Sequence, residues 1–425
     1  MASIVNVFSD AGNTRILLYS LAVGGTLTLM SATGGVQGFV NWLEKKRWVR
    51  NRTQAQLVPF LVGVLVTVES SITSLVAGTV GRPLTDRFKV SREKLAYICD
   101  STSAPICILV PFNGWGAFIL GLLAVQGVES PVALLFQSIR VNFYPMAAIV
   151  IVFLSIVRKW NLGPMKAAEL RAQHEGKVYG DGARPMVADD VVGVKPLEGI
   201  QYRAVNLVAP VITMVVSIVV GIYATGRLSA GEDAELWDII KASSGSTAVL
   251  WAVIMSLVVL AALNLFRGLP LNTFVDLIFK GMGGMIPVVS LLLLAFALGD
   301  AVRQLGTGVY VAGVISGVLS TKMAVIGLFL ISCFVAFSTG TSWGTFAVMV
   351  PIAVPMATTL DGSTPMFLAA VLGGGVFGDH CSPISDTTII SSMASASDHI
   401  DHVRTQIPFA TVGAAVTIVI YLIIA

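Results

Sequence analysis

Long apolar runs follow one another along most of the chain, separated by short polar stretches. A membrane-spanning helix needs about 20 mostly apolar residues. Five runs fit that length: 15–40, 204–224, 247–266, 284–302 and 407–425. A sixth run, 131–157, is similarly apolar apart from Arg140. This pattern predicts an all-α polytopic membrane protein.

Four further apolar stretches are interrupted by Gly, Pro, Ser, Thr and acidic residues. They cover 57–80, 95–128, 309–355 and 366–393. Backbone polar groups in lipid must be hydrogen-bonded, so interrupted segments survive only inside protein or beside a water-filled cavity. These stretches therefore predict re-entrant or broken helices at the centre of the protein.

Composition supports a membrane protein and excludes several other classes. Of 425 residues, 55% are hydrophobic and 12% are charged, whereas soluble proteins carry about 25% charged residues. The net charge of +3 is too small for a nucleic-acid binder of this size. Four cysteines without a CxxC pair indicate reduced core residues. There is no GxSxG, P-loop or HExxH motif, so we expect no enzyme and no cofactor, and no cleavable signal peptide is evident.

Basic residues indicate the orientation in an inner membrane. Lys and Arg cluster in 44–52 (five), 82–94 (five) and 158–203 (eight), and such clusters favour the cytoplasmic side. The third cluster also contains acidic residues and predicts a solvated connector. The expected organisation is an N-terminal membrane repeat (1–157), a cytoplasmic linker (158–203) and a C-terminal membrane repeat (204–425).

The stretch 57–80 lies between two basic clusters that should share one side of the membrane. A hairpin that enters and returns satisfies this rule, whereas a single crossing violates it locally. The centre of the stretch is polar and contains the predicted tip residues Glu69, Ser70, Ser71 and Thr73.

The two halves share a weak internal repeat with an offset of about 279 residues. The segment DSTSAP from Asp100 recurs in outline as DHCSP from Asp379, and in both a proline favours helix breakage. A second polar tip precedes the second segment and contains Ser338, Thr339, Thr341 and Ser342. Because 351–365 carries Asp361 but no basic residue, this hairpin should enter from the other face, as in inverted-repeat transporters with midplane sites.

Ionisable groups in apolar runs are costly and therefore mark functional candidates. They are Glu69, Asp100, Arg140, Asp379, His380 and Asp386, with nearby hydroxyl groups on Ser101, Thr102, Ser103, Ser382 and Thr387. Carboxylate and hydroxyl oxygens suit a hard cation such as Na⁺. Asp100 and Asp379 are the favoured Na⁺ sites, since one carboxylate can exchange a proton for a cation; helix capping is the alternative role for both acids.

Other ionisable residues leave two interpretations open. Glu69 is a ligand at the hairpin tip or a partner of a basic group. Arg140 pairs with an acid or an organic anion, or lies at the external interface, with the crossing starting near Phe143. His380 is a proton relay or a structural hydrogen-bonding residue. His399 and His402 have a spacing typical of metal ligands, but a solvated turn explains them better.

Three segments resemble the NhaC family of Na⁺/H⁺ antiporters: GDHCSPISDTT (378–388), CDSTSAP (99–105) and GTSWGT (340–345). The resemblance covers most of the chain and implies a scaffold domain, a moving transport domain and often a homodimer. Members are commonly longer, with extra N-terminal helices. The wider group also includes organic-solute carriers, such as malate/lactate exchangers.

The leading functional hypothesis is Na⁺/H⁺ antiport, with Na⁺ and H⁺ as cargo rather than as cofactors. The alternative is Na⁺- or H⁺-coupled transport of a small organic acid or amino acid, contacted by the hairpin tips. An ion channel is disfavoured by the absence of a repeated pore signature and by the two broken helices.

Overall fold

The computed structural model describes residues 2–45, 49–67, 69–185, 196–231, 234–306, 310, 313 and 320–425. The described secondary structure is helical throughout. Part of the predicted stretch 309–355 lies outside these residues. The first half and the linker contain α1 (Ala2–Ser9), α2 (Ala11–Ala32), α3 (Gly35–Lys45), α4 (Arg52–Leu65), α5 (Ser70–Arg87), α6 (Arg92–Ser101), α7 (Ala104–Leu109), α8 (Gly114–Val125), α9 (Pro131–Ile139), α10 (Phe143–Val157) and α11 (Gly163–His174).

The second half begins after the linker and is also helical in its described part. It contains α12 (Val205–Ala230), α13 (Leu236–Ala242), α14 (Gly245–Leu265), α15 (Leu271–Gly284), α16 (Ile286–Gln304), α17 (Thr321–Thr339), α18 (Ser342–Thr359), α19 (Thr364–Cys381), α20 (Asp386–Ser395) and α21 (His399–Ile424). Within the described ranges, six helices are long and apolar enough to cross a membrane, or up to eight if each bent pair is one span. The prediction of an all-α polytopic membrane protein is confirmed.

Each half contains a helical hairpin followed by a broken helix, as the sequence predicts. The first hairpin is α4 and α5, and the broken helix is α6 and α7. The second hairpin is α17 and α18, and the broken helix is α19 and α20. The hairpin interpretation of 57–80 is therefore confirmed over the single crossing.

Helix α21 shows that the two hairpins enter from opposite ends of the protein. Its 26 residues span about 39 Å at about 1.5 Å per residue. Near its start, Asp398 accepts a bond from the backbone of Arg184, and the same linker carries Glu169, which pairs with Arg52 at the base of the first hairpin. Near its end, the backbone of Leu422 accepts a bond from Lys322 at the base of the second hairpin. The repeats are therefore inverted.

The linker is more closely packed than the predicted solvated connector. Glu169 in α11 is buried and accepts bonds from Arg52 and from Ser91. Arg171 donates to Glu93 at 2.8 Å. Helix α11 thus ties the first hairpin to the first broken helix.

Two helix predictions need correction. The run 131–157 is not one helix but two, α9 and α10, bent by 40° at a break that contains Arg140. His399 and His402 do not lie in a solvated turn, because α21 begins at His399 and His402 is fully buried. Asp398 caps this helix by accepting bonds from two backbone N–H groups, so the polar stretch is a helix start.

Close packing of α17 against α19 depends on glycine. A Cβ atom at Gly374 would contact the backbone oxygen of Phe329 and lie 2.8 Å from the Cβ of Ser332. The close approach of α17 and α19 therefore requires glycine at position 374.

We expect Gly374→Ala to destabilise the protein by about 1–3 kcal/mol, because the added methyl group meets backbone atoms that cannot move aside. Gly327→Ala in α17 is the matched control, since no atom lies within 4 Å of its added Cβ, and alanine favours a helix by up to about 1 kcal/mol. Thermal unfolding in detergent measures both variants. Equal melting temperatures for Gly374→Ala and the native protein would contradict the packing argument.

Candidate functional site

A cavity of about 400 Å³ lies where the two hairpin tips meet the second broken helix. Helix α2 and the start of α8 form another wall. The lining residues are Tyr19, Ser20, Val23, Leu27, Glu69, Ser70, Ser71, Gly114, Trp115, Met285, Thr341, Ser342, Trp343, Asp379, Asp386 and Thr387. The cavity therefore brings together groups from both halves of the chain.

Asp379 lies at the break in the second broken helix. Helix α19 ends at Cys381, Ser382 has extended backbone angles, and α20 restarts at Asp386 with Ser385 as its N-cap. Asp379 is only 1% exposed, yet it lines the cavity. One carboxylate oxygen accepts a bond from Ser342 at 2.7 Å, and the other accepts one from Ser385 at 2.6 Å.

The bonds of Asp379 come from two different elements. Ser342 begins α18 at the second hairpin tip, whereas Ser385 belongs to the unwound segment. The Ser385 hydroxyl also lies 3.0 Å from the hydroxyl of Thr387. Three hydroxyl oxygens thus surround or adjoin one carboxylate, an oxygen set that suits a hard cation.

Asp100 occupies the equivalent position in the first broken helix but lies behind the cavity. It is fully buried and does not line the cavity wall. Its Oδ2 accepts bonds from Gln406 at 2.6 Å and from Thr388 at 3.1 Å. Its Oδ1 has no hydrogen-bond partner among the described residues.

At the break after Asp100, two side-chain hydroxyl groups form hydrogen bonds with the local backbone. The hydroxyl of Thr102 donates to the carbonyl of Ile98, and that of Ser103 donates to the carbonyl of Asp100 at 2.8 Å. These hydroxyl groups bond to the local backbone, and neither residue lines the cavity. Thr102 and Ser103 are thus placed as structural residues of the break.

His380 joins the two broken helices. Its Nε2 lies 3.0 Å from the Ser101 hydroxyl, and its Nδ1 lies 2.9 Å from the hydroxyl of Tyr144. Ser101 and His380 are separated by 279 residues and are equivalent in the internal repeat. Because both ring nitrogens are engaged in buried contacts, the arrangement favours the structural interpretation of His380.

A polar network connects α21 to Asp100 and to the second broken helix. Gln406 donates to Asp100 and to the carbonyl of His380, and its own oxygen lies 2.9 Å from Nε2 of His402. His402 also lies 2.8 Å from the hydroxyl of Ser392. Sequence reasoning missed Gln406, although the i, i+4 spacing of His402 and Gln406 places two polar groups on one face of an apolar helix.

Glu69, the acidic residue of the first hairpin tip, caps the start of α5. Glu69 accepts bonds from the backbone of Ser71 at 2.9 Å and from the hydroxyl of Ser70 at 3.0 Å at the first turn of α5. Thr73 donates to backbone carbonyls of Val66 and Glu69 and does not face the cavity. Glu69, Ser70 and Ser71 line the cavity, so the capping group is also a cavity group.

The second hairpin tip divides its predicted residues into two groups. Thr341 and Ser342 line the cavity. Ser338 and Thr339 are exposed in the last turn of α17 and lie outside it. Ser382 donates to the carbonyl of Phe337 at 2.8 Å and fixes the unwound segment against this tip.

Arg140 lies outside the cavity. Arg140 is exposed at the break between α9 and α10, does not line the cavity, and forms no salt bridge with a described residue. The neighbouring carbonyl of Val141 accepts a bond from Tyr421 near the end of α21. This placement favours the interface alternative for Arg140.

Asp386 lines the cavity and accepts a bond from the backbone of Thr387 at 2.8 Å.

Asp398 lies outside the spanning segments and anchors the start of α21. Partial burial raises the pKa of its carboxyl, but bonds from the backbone N–H groups of Arg184, Asp401 and Ile400 outweigh burial and hold the pKa below its ordinary value. The ionised carboxylate therefore holds the linker against the helix that carries His402 and Gln406.

The inverted hairpins, the two broken helices and a cavity between them define the class of the protein as a secondary transporter. The model of the Na⁺/H⁺ antiporter family matches residues 116–425, and the chain belongs to this family. The resemblance to the NhaC family is thereby confirmed, and two of the three segments that carry it, 340–345 and 378–388, lie within the matched range. The family consists of transporters that use no cofactor, which confirms the prediction that the protein is not an enzyme and needs no cofactor.

Individual comparisons agree with the family. An uncharacterized protein of Haemophilus influenzae is 30% identical over 98% of this chain and 80% of its own length. The malate-2H⁺/Na⁺-lactate antiporter of Bacillus subtilis is 30% identical, but over 22% of this chain and 20% of its own length. The YdaH transporter of Alcanivorax borkumensis has a similar structure, with a TM-score of 0.58 and 13% identity over 99% of this chain and 87% of that one. At this identity the structure supports the fold alone.

We expect Gln406→Leu to destabilise the protein by about 1–3 kcal/mol, because a buried carboxylate and a buried carbonyl each lose a donor. Thr411→Val is the matched control on α21, since this exposed hydroxyl bonds to the backbone of Ile407 alone. Melting temperatures in detergent measure the difference. If both variants melt together with the native protein, Gln406 does not satisfy Asp100.

Proposed function

We propose that the protein exchanges Na⁺ for H⁺ by alternating access, with Asp379 as the central exchange group. One observation carries this proposal: a buried carboxylate lines the cavity and is held by hydroxyl groups from a hairpin tip and from an unwound segment. Membership of the Na⁺/H⁺ antiporter family supports it.

The chemistry follows from the cost of a charge away from water. A buried carboxylate without a basic partner must be neutralised by a proton or by a bound cation. The hydroxyl groups of Ser342 and Ser385 donate to the carboxylate when no cation is bound, and together with the adjoining hydroxyl of Thr387 they offer oxygen lone pairs to Na⁺. Because proton and Na⁺ compete for one carboxylate, a gradient of either ion drives the other.

Asp100 is the second acid in this proposal. Thr388 donates to the carboxylate of Asp100 and to the backbone carbonyl of Asp379, at 3.1 and 3.3 Å. This hydroxyl therefore links the carboxylate of Asp100 to the backbone at Asp379. His380, Ser101 and Gln406 position the two broken helices around this pair.

We also propose an orientation of the protein in the membrane. By the positive-inside rule, the linker 158–203 lies in the cytoplasm and the protein is a multi-pass inner-membrane protein. The division into repeats 1–157 and 204–425 follows from this arrangement. A homodimer is what family resemblance implies.

We expect Asp379→Asn to reduce Na⁺-driven proton flux in proteoliposomes to the background of protein-free vesicles. An amide neither releases a proton nor supplies the negative charge that holds Na⁺. Asp276→Asn is the matched control, because Asp276 is exposed on α15 away from the cavity. Robust exchange by Asp379→Asn, with native-like thermal unfolding, would remove Asp379 from the mechanism.

A second candidate function is Na⁺- or H⁺-coupled transport of a small organic acid or amino acid. The cavity volume of about 400 Å³ favours it, because ligand pockets measure about 300–1,000 Å³. The relative from Bacillus subtilis is named as a malate-2H⁺/Na⁺-lactate antiporter, which also supports an organic cargo.

Flux measurements with and without organic solute separate the two functions. Cation exchange predicts Na⁺-driven proton movement with no organic solute present. Organic-solute coupling predicts proton movement only after the solute is added. Full proton flux in solute-free vesicles would therefore exclude obligatory coupling to a solute.

A further inference from the structure

A second pocket, here called the linker pocket, lies between the end of α10 and helix α11. Its volume is about 740 Å³, and its walls come from 154–161 and 166–173. No residue of the linker pocket lines the cavity between the hairpin tips. The proposed exchange of ions therefore gives this pocket no role.

Three basic side chains line the linker pocket without an acidic partner. Arg158, Lys159 and Lys166 are exposed, and none of them forms an ion pair with a described residue. The acid of the pocket is Glu169, which is buried and already paired with Arg52 at 2.8 Å. The pocket therefore carries an excess of positive charge that attracts an anion.

Asn161 adds a neutral hydrogen-bond donor to the same wall. Its side-chain oxygen accepts a bond from the ammonium group of Lys94 at 2.9 Å. Because an ammonium group only donates, this contact fixes the amide and leaves its NH₂ group on the other side. Guanidinium, ammonium and amide groups all donate, and phosphate oxygens are strong acceptors for such a set.

The linker pocket also has an apolar side. Leu154 and Leu170 line it together with the exposed indole of Trp160. The surface of α10 next to the pocket exposes further apolar side chains: Val150, Phe153 and Val157. Helices α9 and α10 form one of the bent pairs that are apolar enough to cross a membrane, and tryptophan is enriched where a membrane meets water. The pocket therefore lies where the polar end of a lipid meets its acyl chains.

We propose that the linker pocket binds the headgroup of an anionic phospholipid. The phosphate accepts hydrogen bonds from Arg158, Lys159 and Lys166, and the acyl chains lie along the apolar surface of α10. A free phosphate ion would share the polar contacts, but it has no group to place against the apolar side. Basic residues directly outside a spanning helix suit anionic headgroups. This inference does not depend on which solute the protein carries.

A bound headgroup joins two helices that belong to different parts of the chain. Arg158 caps the end of α10, whereas Lys166 lies on α11 of the linker. Salt bridges from α11 also reach Arg52 at the base of the first hairpin and Glu93 on α6. The lipid should therefore stabilise the packing of the linker helix against the first repeat, since a ligand that binds only the folded state stabilises it.

Native mass spectrometry of the purified full chain in detergent can measure the affinity of the first bound lipid. Each basic residue near an anionic headgroup strengthens binding by about fivefold, so three residues should favour phosphatidylglycerol over phosphatidylcholine by on the order of 100-fold. Inorganic phosphate at the same concentration as the lipid should not displace phosphatidylglycerol. Equal affinities for the two lipids, or displacement by phosphate, would overturn the proposal.

A variant of the linker pocket tests where the lipid binds. It replaces the three cations together: Arg158→Gln, Lys159→Gln and Lys166→Gln. Its affinity for phosphatidylglycerol should fall by on the order of 100-fold, to that for phosphatidylcholine. Phosphatidylglycerol should also raise the melting temperature of the native protein but not that of this variant. Native-like binding of phosphatidylglycerol by the variant would show that the pocket is not the site.

A matched control separates the pocket from the general charge of this end of the protein. It replaces three basic residues that lie outside the pocket in the same kind of basic cluster: Arg87→Gln, Lys89→Gln and Arg184→Gln. All three are exposed, and the control removes the same net charge as the pocket variant. It should keep the preference for phosphatidylglycerol. An equal loss of affinity in both variants would mean that diffuse surface charge, and not the linker pocket, attracts the lipid.

Discussion

The structure depends on how two buried acids are accommodated without a salt bridge to Lys or Arg. In the described residues, Asp100 and Asp379 receive hydrogen bonds from hydroxyl and amide groups. Such neutral donors stabilise a carboxylate less than a buried arginine would, and they reorient easily. A fixed cationic partner would hold the charge permanently. In the proposed exchange, neutral donors leave the charge to be balanced by Na⁺ or by a proton.

This requirement explains the irregular backbone. A continuous helix uses its own N–H and C=O groups, so it has few to offer a ligand. At 382–385 the chain leaves the helix, and Ser385 becomes available both to cap α20 and to bond Asp379. The opposed hairpins then bring a second set of hydroxyl groups to the same point without a full crossing of the membrane.

Much of this arrangement was predictable because it is marked locally in the sequence. Pro105, Pro383 and the Ser-rich tips interrupt apolar runs, and the clusters of basic residues restrict the topology. The partners of the acids carry no such local mark. Gln406 lies 306 residues from Asp100, and Tyr144 lies 236 residues from His380, so only the fold brings them together. The break at 140–142 was only one of two alternatives, because a lone Arg140 in an apolar run fits a helix with a buried partner as well as an interface followed by a crossing from about Phe143.

The contacts of the two broken helices also indicate which parts would move together in the proposed exchange. Ser101 bonds with His380, Thr388 donates to the carboxylate of Asp100 from the second broken helix, and Arg92 donates to the carbonyl of Ser395. Because these bonds cross between the halves, the broken helices form one unit, with α21 attached through Gln406. The other side of the cavity is formed by α2 and the start of α8, which contribute Tyr19 and Trp115. In the proposed alternating-access cycle, the exposure of Asp379 would change as this unit shifts against α2 and α8, while the bonds of Thr388 to Asp100 and to the backbone of Asp379 remain intact.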